Sequence, residues 1–83
     1  MGMSRYYLDQ KNNDHEVVVG WDDGLASFFV QVVDLSDDEK ILLWEGVTTP
    51  LADIAQIARL VAPYADFPAD IEEKLRQDQA NAS

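Results

Sequence analysis

HEVVVGWDDGLASFFVQVVD, residues 15–34, decides how this chain folds. Two runs rich in β-branched and aromatic residues flank Asp23-Gly24, and Asp-Gly suits a two-residue hairpin turn because glycine tolerates a positive φ without a Cβ clash. A strand from His15 to Asp22 and another from Leu25 to Asp34 follow. With that turn Asp22 faces Leu25, Val19 faces Phe28 and Val17 faces Val30. Side chains alternate along a strand, so Val17, Val19, Trp21, Ala26, Phe28, Val30 and Val32 share one face, the expected core. The opposite face mixes Glu16, Asp22, Ser27 and Gln31 with Val18, Leu25, Phe29 and Val33. A connection wider than two residues is expected to exchange the roles of Phe28 and Phe29.

Outward from the hairpin, Ser4 to Asp9 reads as a first strand carrying Tyr6, Tyr7 and Leu8, stopped by the polar cluster Gln10 to Asp14. Ser36 to Glu39 is a second polar break, and Ile41 to Trp44 makes a fourth strand ending at Gly46. Connections this short favour an antiparallel meander, since parallel pairing needs long crossovers. From Thr49-Pro50 the period changes. Threonine is a good N-cap and proline is tolerated at the first helical position, so a helix is predicted from Pro50 to about Val61. Its polar positions Asp53, Gln56 and Arg59 leave a wide apolar surface of Leu51, Ile54, Ala55, Ile57, Ala58, Leu60 and Val61, predicted to be covered on more than one side. Pro63 ends it. Pro68 opens a second helix with early acids Asp70, Glu72 and Glu73, later bases Lys74 and Arg76, and a buried stripe of Phe67, Ile71 and Leu75. The expected fold is α+β: a four-stranded antiparallel meander followed by two C-terminal helices on one face. It forms one domain over residues 1–83, ordered from about 4 to 76, with 77–83 as a frayed tail.

Charge bounds the function. The 83 residues hold 16 Asp and Glu against 6 Lys and Arg, a net of -10, yet 47% are hydrophobic. Charge-driven disorder normally goes with low hydrophobicity, so this is a folded acidic surface. A domain of this size buries only about 60 to 65% of its unfolded surface and gains roughly 4 to 12 kcal/mol of stability. There is no cysteine to add a disulfide. That absence, and a start without a basic residue followed by an apolar run, fits a cytoplasmic protein, and no stretch approaches the ~20 apolar residues of a membrane span. Direct binding to nucleic acid or to anionic membranes is disfavoured because phosphates would be repelled.

Catalytic and metal-binding patterns fare no better. His15 is the single histidine. Ser27, the nearest plausible nucleophile, faces Gly20 in the expected hairpin, about 16 Å away. Asp34, Ser36, Asp38 and Glu45 match positions 1, 3, 5 and 12 of a calcium-loop spacing, but Glu39 stands where that loop needs glycine. Paired carboxylates need a concave pocket that a small domain has little volume to build. No enzyme, cofactor or metal is therefore expected. Trp21, Trp44, Tyr6, Tyr7, Phe28 and Phe29 could stack on bases, yet such platforms sit in positively charged grooves, and core packing is the simpler reading.

Two helices can cover one face of the sheet, leaving Val18, Phe29 and Val33, with parts of the first and fourth strands, on the other as a candidate interface for a protein partner or for a homodimer. A small non-enzymatic interaction or accessory protein is the expected class. The alternative is a mimic of nucleic-acid charge, inhibiting a DNA- or RNA-binding protein by occupying its basic groove. The segment Gly20-Trp21-Asp22, Leu25, Phe28-Phe29, Gln31-Val32 and later Leu43-Trp44 with Gly46 resembles a small uncharacterised family of bacterial proteins, over roughly the middle half of the chain. The resemblance implies a bacterial source and brings no activity or ligand.

Overall fold

Short connections leave neighbouring strands no choice but to run antiparallel. The computed structural model describes residues 3–9, 11, 14–36, 38, 40–46 and 49–81. Strands β1 (Tyr6–Leu8), β2 (His15–Asp22), β3 (Ser27–Asp34) and β4 (Lys40–Glu45) lie in that order in one antiparallel sheet. Helices α1 (Ile54–Val61) and α2 (Ala69–Asn81) follow, giving the expected α+β fold. Parts of both polar breaks, Gln10, Asn12, Asn13, Asp37 and Glu39, lie outside the described residues.

The hairpin register differs from the expectation by two residues. Asp22 pairs with Ser27, Trp21 with Phe28, Val19 with Val30 and Val17 with Val32. The reason is the Asp22 carboxylate, whose Oδ1 accepts from the backbone N–H of Gly24 at 2.9 Å and of Leu25 at 3.3 Å. Such a side-chain turn competes with a tight two-residue reversal. The connection becomes Asp23 to Ala26, the left-handed φ of 51° falls on Ala26 and not on Gly24, and Ala26 leaves the core face. Widening by an even number preserves the alternation. Phe28 and Phe29 therefore do not exchange, and Val17, Val19, Trp21, Phe28, Val30 and Val32 all lie in the core.

The first helix starts later than Pro50 because the chain before it is held as strand. Phe28 N–H donates to Leu51 O at 2.8 Å, and Leu51 N–H donates at 2.8 Å to the Ser27 hydroxyl, which donates in turn to Phe28 O. Ser27 is thus buried with its hydroxyl satisfied, as a buried polar group must be. Asp53 then caps the helix, its Oδ1 accepting from Ala55 N–H at 2.9 Å. Only Ile54, Ile57 and Val61 of α1 are buried, while Ala55 is exposed and Leu60 half-buried. The helix is therefore covered on one side, not on several.

Helix α2 buries Leu75 and packs Ile71 against the core, and Phe67 just before it packs there too. It also runs on to Asn81, where a frayed tail was expected from residue 77. Two long-range contacts hold the extra turns: Tyr6 Oη donates to Asp78 Oδ2 at 2.6 Å, and Gln79 Nε2 donates to Ala52 O at 3.1 Å. Lys74 Nζ stands 5.8 Å from the Tyr6 ring centre. Burial, and then the Asp78 carboxylate, raise the Tyr6 pKa above its ordinary value. A raised value favours the neutral phenol in the fold, so this contribution is complete below the ordinary pKa of about 10 and fades as pH rises through the folded one. Tyr6→Phe is expected to cost about 1 kcal/mol at neutral pH and to speed amide exchange over 77–81. The stability gap should close in alkaline solution. Unchanged exchange would mean that the last turns hold unaided.

The reverse face of the sheet as a candidate interaction surface

Alternation puts every second residue of each strand on the side away from the helices. Pairing of Tyr7 with Val18, Val18 with Gln31 and Gln31 with Trp44 makes one row across all four strands, roughly 14 Å long at ~4.8 Å per strand. Beside it Val33 pairs with Ile41, and Met3 bridges to Asp22. Val18, Phe29 and Val33 do lie on this side, but the expected exposure is corrected. Val18 is 2% exposed, Phe29 8%, and Val33 is half-buried.

The glycines explain the burial of Phe29. A Cβ at Gly20 would collide with the Phe29 ring and with Ser4 O. The ring lies in the space that a side chain there would fill, so a small apolar layer forms within the chain itself. What solvent meets is the rim: Tyr7 at 61%, Met3 at 54%, Trp44 at 53%, Ile41 at 48% and Leu25 at 46% exposure. Met3, Leu25, Phe29, Gln31 and Trp44 enclose a recess of about 250 Å³, with Arg5 and Asp22 completing its wall. The recess is thus aromatic and apolar, with one cation, Arg5, and one carboxylate, Asp22, in its wall. On the helix side, Trp21 Nε1 donates to Asp23 Oδ1 at 2.7 Å.

The other sequence patterns are taken apart by the fold. His15 pairs with Asp34 and Ser27 with Asp22, seven ladder steps away, roughly 23 Å, so the shifted register separates them further than expected. His15 instead meets Tyr64 edge to face, with ring centres 6.0 Å apart. Asp34 and Glu45 lie against opposite ends of β4, since Asp34 pairs with Lys40 and Glu45 with Val30. They cannot share one calcium. Asp34 Oδ1 accepts from Ser36 N–H at 3.0 Å and from Ser36 Oγ at 2.7 Å, and the hydroxyl bond foremost holds its carboxyl below the ordinary range. Among the proposed stacking residues, Trp21 and Phe28 pack edge to face in the core, with ring centres 4.9 Å apart. Tyr7 and Trp44 remain accessible.

Sequence reasoning expected parts of the first and fourth strands on this face without naming them, and the structure supplies Tyr7, Ile41 and Trp44, with Met3 beside β1. The signal was present in the alternation of β1 and β4, but it could be read only once their pairing with the central hairpin was known. Among the described residues no helix is long and apolar enough to cross a membrane. No family model, curated protein or solved structure matches the chain.

Proposed function

We propose that this protein is a non-catalytic interaction module that docks a protein partner on the reverse face of its sheet. The observation carrying this reading is the recess beside exposed Trp44 on the side the helices leave open, with exposed Tyr7 at the far end of the same row. Two aromatic groups with polar tips at one surface suit an interface, where one end packs and the other stays wet. At about 250 Å³ the recess falls below the usual range of a small-molecule site and matches a single side chain of a partner. The net charge of -10 selects a partner with basic residues around its apolar anchor.

A pull-down from the source cell tests this with the wild type, Trp44→Ala, and Gln77→Ala on exposed α2 as a control. Capture of one protein that Trp44→Ala loses and Gln77→Ala keeps is the expected result. Equal capture by all three, or none by any, removes the reading. The charge-mimic alternative predicts something different: a nucleic-acid-binding protein captured by wild type and Trp44→Ala alike, and displaced by DNA or by salt.

A further inference from the structure

β4 is an edge strand with an unusual symmetry. Among the described residues it shares backbone hydrogen bonds with β3 alone, and α1 and α2 pack on β3 and β2, further in. A row of open N–H and C=O groups is a template for another strand, and proteins usually blunt it with proline or central charges. Lys40–Glu45 has no proline, and its charges stand at the two ends with opposite sign. We infer that this edge pairs antiparallel with the same edge of a second copy, centred between Leu42 and Leu43.

That register sets Lys40 opposite Glu45 of the second copy, Ile41 opposite Trp44, and Leu42 opposite Leu43. Residues directly opposite must point to the same side of the joined sheet. In a regular strand Lys40 and Glu45 would point to opposite sides. The bulge removes the conflict: Val32 pairs with Leu43 but Val33 pairs with Ile41, so Leu42 is an extra residue. Ile41 and Trp44 consequently share the reverse side, Leu42 and Leu43 both pack toward the core, and Lys40 and Glu45, opposite Asp34 and Val30, share the helix side. A bulge can twist an edge away from other strands, but here it sits at the centre of the pairing and meets its own copy. Two Lys40–Glu45 pairs then give local attraction between two chains that otherwise repel. The inference stands apart from the docking of a different protein, although it would join two reverse faces into one.

Sedimentation equilibrium from low to high micromolar chain, at physiological salt, tests it. The wild type is expected to reach twice its 9.3 kDa mass with a blue shift of Trp44 emission. K40E and E45K are each expected to weaken the dimer about tenfold, since like charges directly opposite are destabilising. E45K lowers the magnitude of the net charge from 10 to 8, so a general relief of repulsion would strengthen its association instead. An equimolar mixture of the two variants should regain wild-type affinity, because one chain carries acids at both ends of β4 and the other carries bases. A misfolded variant could not be rescued this way. A wild type of 9.3 kDa throughout, a dimer indifferent to both reversals, or a mixture no stronger than its components overturns the inference.

Discussion

Gly46→Ala is expected to cost about 2 to 5 kcal/mol, a figure built from about 1 to 2 for the left-handed backbone and 1 to 3 for the overlap. Gly46 has φ 94°, and a Cβ there would run into the Phe28 carbonyl oxygen and stand 2.9 Å from Phe29 Cα. Both obstacles are backbone at the centre of the sheet and cannot step aside. The contact exists because β4 must end and let the chain return beside β3, where Leu51 takes the Phe28 N–H. At Gly24, by contrast, φ is not positive and the nearest atom is the Asp22 carboxylate, 3.3 Å from a built Cβ, so Gly24→Ala should change little. Against a total of roughly 4 to 12 kcal/mol the first substitution leaves a marginal protein. Urea unfolding of the two variants side by side decides it, and a Gly46→Ala loss below 1 kcal/mol would refute the account.

How much of this was legible follows from what each feature depends on. β2 could be bounded at His15 and Asp22 because polar clusters flank a β-branched run. The division of Phe28 and Phe29 between faces matches the hairpin reading, but the expectation that any wider connection would exchange them does not hold, because only an odd widening changes the parity. The register itself was not legible, because the Asp22 carboxylate engages Gly24 and Leu25 and displaces the turn that Asp-Gly favours. Thr49-Pro50 likewise gave a sound local signal for a helix start, overridden by a strand contact from Leu51 to residues 24 positions earlier. The last turns of α2 carry polar residues and depend on Tyr6, 72 positions away. Local rules fail in each place where a distant group supplies the missing partner.

Phe29→Ala is expected to cost about 3 to 5 kcal/mol, the range for a buried aromatic ring, even though Phe29 lies on the face without helices. Its ring is 8% exposed and occupies the space above Gly20, so truncation leaves a hollow that no neighbouring side chain from Gly20 can fill. Trp44, though larger, is 53% exposed at the rim, and Trp44→Ala should cost less than about 1 kcal/mol. Thermal unfolding separates them: at roughly 4 to 8 °C per kcal/mol, Phe29→Ala should melt at least about 8 °C below Trp44→Ala. The ordering matters for function as well as for stability. A charge placed at Phe29 would unfold the layer beneath the surface, and loss of binding would then say nothing about contact. Trp44 can be removed while the layer stays intact, so a partner that still binds Trp44→Ala cannot be docking on that rim. Melting temperatures in the reverse order would mean that the reverse face has no interior of its own, and that the Phe29 ring reaches solvent.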